Sequence, residues 1–494
     1  KTLLLYAACF FLLLLVGIRG MSKGELRLQR TLVDPLILLL VISALLSAVF
    51  SVSPIRSFFG FPHVFVLNVH AFILLLVWFW LLLQEKPNAS YERLLLFAVM
   101  GSGCLASIFF LVRDLPFLGS IRDIFVFQMF QPMSNANSIF AVLTAMIATL
   151  AIGVASFRAF GTSSRVIAGF IALIQLIALL RLNFTPGWIV FCAGMIILLV
   201  IGMALLEATS VFALSFVFVC IIGAVAISWF GLPDFFHANT PIEVALGTRP
   251  TWNITWQTLA HSFKNMTVGS GPGTFLFDFS LYRTSNFNLD PRTNDIRFPQ
   301  GVNAIFTILA EYGVIGIAIF AIFVLLVLGP LIESIRRGRN EREIILPTEF
   351  MALTAVTGAG WITLLFALFV TFLDFAGWFL FFTLMALTIR NLAPFLPRVL
   401  REHRFSLRGY AHYRLAVSFG IIFLCTVVAA YGVFLGRMYA GDIWYQKAEK
   451  LSGSMDPAVR ISFLEKAYGY RSFESMYAMA LARTTLDEAR ILAS

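Results

Sequence analysis

The sequence predicts an all-α polytopic membrane protein, and three observations carry that prediction. The 494 residues are 60% hydrophobic and only 13% charged, whereas soluble domains are roughly 45–50% apolar and about 25% charged. Mean hydropathy is +0.89. Apolar runs recur at the length of about 20 residues that lets a helix cross the hydrocarbon core.

Taken in order, the runs give about twelve spans, near 2–18, 33–50, 64–83, 92–112, 134–156, 164–180, 187–206, 209–229, 314–330, 350–370, 372–389 and 415–436. Only Asp374 and Gly377 mark a turn inside 350–389. The first run has the apolarity of a signal sequence but no small-residue cleavage site before the basic loop, so it is read as a span. The chain begins within a span and stops within a helix-like pattern, as a piece trimmed from a longer protein would.

Loop charge orients the spans. One alternating set of loops carries Arg19, Lys23, Arg27 and Arg30, then Lys86 and Arg93, Arg158 and Arg165, the arginines from 336 to 342 and those from 390 to 414. The opposite short loops hold only Arg56, Arg113, Arg122 and Arg181. The positive-inside rule puts the first set in the cytoplasm. A basic face beside anionic lipid accounts for the net charge of +10, so nucleic-acid binding is not expected. The expected organisation is then helices one to eight in 1–229, an extracytoplasmic loop with interfacial helices in 230–313, helices nine to twelve in 314–436, and a short extracytoplasmic helical tail in 437–494.

Several chemistries find no support. All five cysteines fall inside spans, with no metal-ligand spacing. No Walker, HExxH or GxSxG motif is present, and GSGPG (Gly269 to Gly273) lacks the lysine and strand–helix context of a phosphate loop. Neither a metal nor a nucleotide is expected. In the tail, Ala448 and Ala482 lie one tetratricopeptide period of about 34 residues apart, and FLEKAYGY resembles the second helix of such a repeat. The tail is read either as a docking module for a protein partner or as a surface helix pair.

The stretch QGVNAIFTILAEYGVIG places Asn303, Thr307 and Glu311 on one face of a helix, since every fourth residue aligns. That polar stripe is expected to face water or the loop, with Gly313 turning the chain inward. Upstream, residues 248–264 read as a helix with Arg249, Trp252, Trp256 and Leu259 at steps of three and four, followed by a tight GSGPGTF turn. Arg283, Arg292 and Arg297 follow in the polar part of the loop.

This run resembles the O-antigen ligase and polymerase superfamily. The resemblance covers Arg249 and Trp252, the G-x-G-P-G-x-F turn from Gly269 to Phe275, and N-x7-E-x-G-x-x-G at Asn303, Glu311, Gly313 and Gly316, within a region of about 165–330. FFG after the second span and SNANSIFAVL (Ser134 to Leu143) are further echoes. The resemblance implies transfer of a glycan from a polyprenyl (undecaprenyl) diphosphate carrier to a lipid, glycan or protein hydroxyl, at the outer face of the bacterial cytoplasmic membrane. Such a site needs cations around the leaving diphosphate and a base for the acceptor proton. Arginine suits the first role because its planar fork matches phosphate oxygens and stays charged.

Arg249 is the first candidate for the diphosphate, with Arg181, Arg283 and Arg297 behind it, and Trp252 and Asn303 as further substrate contacts. Two positions depart from the family. Val302 stands where a histidine precedes the asparagine, and Thr185-Pro186-Gly187 stands where a Ser-Arg-Gly-like stretch is found. His261 and His237 are the loop's remaining imidazoles, and an interfacial or structural role is the plainer reading of each. Glu311 is the other proton acceptor near the site; a bland interfacial role competes with general-base duty there. Glycan transfer leads the readings. A polymerase of the same superfamily, a lipid-linked glycan transporter and a lapsed scaffold acting through its tail are the alternatives.

Overall fold

A computed structural model describes residues 2–23, 25–61, 65–114, 136–205, 211–231, 243–284, 287, 289, 296–340, 348–396, 398–406, 411–450 and 457–493. The readings of His237, Arg122 and Arg292 lie outside the described residues. Among the described residues, nine helices are long and apolar enough to cross a membrane. They are α1 (Thr2–Lys23), α5 (Ala89–Asp114), α6 (Asn137–Ser156), α7 (Thr162–Leu182), α8 (Thr185–Leu205), α13 (Ala304–Asn340), α14 (Thr348–Val370), α15 (Phe375–Leu392) and α16 (Ala411–Lys450). The other three expected spans coincide with shorter apolar helices: α2 (Asp34–Val49), α4 (Val69–Leu83) and α9 (Val211–Phe230). The chain is a multi-pass helical membrane protein.

It divides into two units. The larger comprises 28–61 and 65–403. At its centre α6 is buried along almost its whole length, against α7, α8 and α14. Small residues make that approach possible, as at membrane helix interfaces generally. A Cβ on Gly187 would come within 2.9 Å of Ala141, and one on Gly194 within 2.6 Å of the Thr149 hydroxyl.

The residues counted in sequence as topology charges also tie helices together. Arg390 on α15 is 3% exposed; it meets the buried Glu92 of α5 at 2.7 Å and donates to the Leu82 carbonyl of α4 at 2.7 Å. Arg93 pairs with Glu349 at 2.8 Å, Lys86 with Glu402 at 2.9 Å, and Arg398 with Glu333. The fold also departs from all-α in one place. β1 (Glu25–Thr31) pairs with β2 (Leu400–Ser406) in a two-stranded sheet. Within ELRLQRT the first five residues alternate polar and apolar, which is the strand period.

The second unit comprises 1–27, 62–64 and 404–494. Here α1 packs along α16: the Tyr6 hydroxyl donates to the Val428 carbonyl, and its ring lies 5.8 Å from that of Tyr431. Beyond α16 come α17 (Pro457–Tyr470) and α18 (Ser475–Ala493). The tail expected to begin near 437 with a separate short helix instead continues α16 to Lys450. Tyr445, Ala448, Leu464, Ala467 and Tyr477 form a small core, with the Tyr445 and Tyr477 rings stacked at 4.7 Å. Beneath it the buried Arg471 bonds Asp442 at 3.1 Å and pairs with Glu474 at 3.4 Å. Ala448 is buried but Ala482 is exposed.

Candidate functional site

The loop residues that precede α13 fold into three short helices: α10 (Thr248–Ala260), α11 (Phe263–Val268) and α12 (Phe275–Tyr282). Helix α10 is amphipathic. Thr251, Ile254, Thr255, Thr258 and Leu259 are buried, while Arg249, Trp252 and Trp256 are exposed. The buried threonines bind backbone: Thr251 accepts the Val302 N–H at 3.1 Å, and Thr255 donates to the Phe306 carbonyl at 3.3 Å. Ser262 caps α11 by accepting the Asn265 N–H at 3.1 Å.

The GSGPGTF turn follows, and three positive φ angles explain its glycines: 80° at Gly269, 120° at Gly271 and 70° at Gly273. It lies directly on the backbone of α13. Ser270 N–H donates to the Ala310 carbonyl and Gly271 N–H to the Glu311 carbonyl, both at 3.0 Å. A Cβ on Gly269 would collide with the Glu311 carbonyl, and one on Gly313 would come within 2.5 Å of the Thr267 carbonyl. The two segments thus lock together where neither has a side chain. Gly313, at φ 66° and ψ −172°, breaks the helix as expected.

The polar stripe faces this loop and not water. Asn303, Thr307 and Glu311 are all buried. Asn303 caps α13 by accepting the Phe306 N–H at 2.9 Å and donates to the Phe369 carbonyl at 3.1 Å. Thr307 accepts the Gly301 N–H at 3.1 Å. Glu311 accepts the Phe275 N–H at 3.2 Å, and the N–H groups of Gly273 and Thr274 face the same carboxylate. Glu311 therefore serves as a hydrogen-bond acceptor at the start of α12 and pins the turn.

Several participants escaped the sequence reading. Asp278, 4% exposed, accepts the Ser270 hydroxyl at 2.6 Å under the turn. Burial pushes its carboxyl up to about 7, against the opposing pull of Ser270 and Lys264. A lone acid inside the aromatic run FLFDFSLY was the available signal. Glu243 accepts the backbone N–H groups of Asn137 and Ser138 (the latter at 3.2 Å) at the start of α6, a partnership that no short-range pattern announces. Arg56, from α3 (Pro54–Phe59), lies over the Phe61 ring at 4.6 Å and the Phe277 ring at 5.6 Å.

Arg249 stands exposed in the first turn of α10, with no hydrogen-bond or ion-pair partner among the described residues. Trp252 stacks on Trp256 at 6.2 Å and meets Phe306 at 5.2 Å. His261 is exposed at the other end of α10, its ring 6.3 Å from that of Tyr282. Twelve residues of helical rise put Arg249 and His261 about 18 Å apart. Val302, by contrast, is bound through its backbone to Thr251, between Arg249 and Trp252 in the same helix. Position 302 therefore sits at the Arg249 end, and His261 does not replace it in space.

Arg283 caps the C-terminus of α12 and is partly exposed, while Arg297 is exposed. Arg181 ends α7, which packs on α5 and α6. A cavity of about 20 Å³ behind Tyr312, lined by Leu40, Ser43, Phe320 and Trp378, has room for water and not for a sugar. Among the described residues no group of three His, Cys, Asp or Glu side chains converges on a metal position. No protein-family model matches the chain, and no curated protein matches it.

Proposed function

We propose that the protein transfers a glycan from a polyprenyl diphosphate carrier to an acceptor hydroxyl at the outer face of the bacterial cytoplasmic membrane, as a ligase of the O-antigen ligase type. The observation that carries this reading is the lock between the Gly269–Gly273 turn and the Glu311–Gly313 backbone. It joins the two halves of the family-like run into one unit and leaves Arg249 and Trp252 on its exposed face.

In the reaction the bond between the sugar anomeric carbon and the phosphate oxygen breaks, and a bond to the acceptor oxygen forms. The acceptor proton leaves to a base or to the departing diphosphate. The driving force resides in the donor, so the reading requires neither metal nor nucleotide. Arg249 holds the diphosphate, and the Trp252 face offers the sugar an apolar surface. Arg283 and Arg297 supply further positive charge from the loop, and Arg181 from the end of α7. Asn303 and Glu311 act by holding the frame. His261, at the far end of α10, serves as a base only for an acceptor bound there.

The test is the glycolipid content of cells lacking the protein, complemented with Arg249→Ala or His261→Ala. Accumulated lipid-linked polymer supports a ligase, and accumulated single repeats support a polymerase. Arg249→Ala is expected to lower transfer by roughly 10²-fold, the cost of removing one electrostatic donor. Unchanged surface glycans after deletion would sink the transferase reading. The scaffold reading draws on Val302 and on the internal engagement of the Asn303–Glu311 stripe; it predicts that Arg249→Ala complements fully.

A further inference from the structure

The exposed face of α10 and α11, which also carries the Arg249 and Trp252 of the proposed transfer site, has a physical character of its own. Arg249, Trp252 and Trp256 follow at steps of three and four along one side of α10, Phe263 opens α11 beyond the turn at His261 and Ser262, and all four are exposed. Trp256 is 58% and Phe263 76% exposed, and Met266 adds to the same apolar surface at 43%. The opposite side of α10 is packed against the rest of the loop unit through Thr251, Ile254 and Thr258. Contiguous aromatic surface of this kind marks an interaction site, because water gains nothing from it.

The occupant is indicated by continuity. Trp252 packs on Phe306, which lies in the first turn of α13. Gly313 breaks α13, and the apolar run long enough to cross the bilayer continues beyond that break. The stripe therefore packs on the short 304–312 segment that leads into a span. Arg249 at one end carries the charge that anionic headgroups attract, and tryptophan is the residue type whose apolar ring and polar N–H suit the boundary between headgroup and acyl chain.

We propose that the Trp252–Trp256–Phe263 stripe lies in the headgroup layer of the same bilayer that the spans cross, so that α10 and α11 are interfacial helices resting on lipid. The geometry matches an amphipathic helix lying in the interface plane, with its apolar side a few ångströms into the boundary. A docked protein or a second copy would cover the same face, and these are the competing outcomes.

The test is tryptophan fluorescence of the full chain in nanodiscs of phosphatidylcholine and phosphatidylglycerol, with the phosphatidylcholine brominated near the headgroup end of its acyl chains. Emission that disappears on Trp252→Phe with Trp256→Phe is expected to be quenched by the brominated lipid and shielded from aqueous iodide. Phe263→Trp added to that double variant is expected to restore bromolipid-quenched emission. Quenching of the lost emission by iodide would mean the stripe faces water, and quenching by neither agent would mean that protein covers it. Either result overturns the proposal. Should the double variant fail to fold, Phe263→Trp in the otherwise native chain carries the same test: its added emission must be quenched by bromolipid and not by iodide.

Discussion

The buried carboxylate of Glu311 accepts the backbone N–H of Phe275 at 3.2 Å, joining the first turn of α12 to the α13 helix 36 positions further along the chain. Removing that acceptor leaves buried donors unsatisfied. Glu311→Ala should therefore destabilise the protein by about 1–3 kcal/mol, the cost of leaving a buried donor unsatisfied. Glu311→Gln, which keeps one carbonyl acceptor, should cost less. Thermal unfolding in detergent, with proteolysis of the 243–300 loop as a local readout, checks the order.

At Gly269 and Gly313 both conformation and space forbid a side chain. Their φ angles are 80° and 66°, and each Cβ would run into a carbonyl of the opposite segment. Alanine at either position should cost more than the roughly 1–2 kcal/mol of the left-handed conformation alone, because backbone must also move. Gly101, inside α5, is the control: nothing lies within 4 Å of its Cβ position. Gly101→Ala should be neutral or stabilising by up to about 1 kcal/mol. Yield of monodisperse protein and melting temperature separate the two classes.

Asp278 should impose a pH slope on stability. Its folded-state value, pushed up to about 7 by burial, exceeds the ordinary value of 3.8. Between these two the folded state holds a proton that the unfolded state has released. Stability from this group is therefore full below about 4, falls as pH rises towards about 7, and is flat above. The loss is on the order of a few kcal/mol. Asp278→Asn keeps an acceptor for Ser270 and should remove this slope, as melting curves from pH 4.5 to 8.5 would reveal. An unchanged slope would place the titrating group elsewhere.

The Glu92–Arg390 pair is almost wholly buried, so deleting one partner strands the other charge. Arg390→Ala or Glu92→Ala should each cost about 3–5 kcal/mol. Exchanging both for apolar residues of similar volume, Glu92→Leu with Arg390→Met, should cost markedly less. A double-mutant cycle on melting temperature measures the difference.

The sequence made some of this legible for physical reasons that particular residues display. Spans were readable because lipid demands long apolar runs, and the α10 stripe because Arg249, Trp252 and Trp256 keep helical spacing. The glycines of the turn announced a conformation no other residue adopts easily. What they close against was hidden, since Gly269 and Glu311 meet only in three dimensions. Sequence proximity also misled. His261 lies close to Arg249 along the chain yet a full helix away in space, while Val302, far along the chain, is bound beside it. Gly436 and Gly441 lie inside α16, and a helix tolerates glycine at about 1 kcal/mol. At Gly441 the missing side chain brings α17 close, with the Ala467 carbonyl 3.2 Å from where a Cβ would stand.

That uninterrupted helix has a structural corollary. At 1.5 Å per residue the 40 residues of α16 make a rod of about 60 Å, roughly twice the hydrocarbon thickness. Its end is gripped by the Tyr445–Tyr477 stack and the buried Arg471. The small core of α17 and α18 is thus built on the same continuous helix that carries the apolar run Ser418–Glu449.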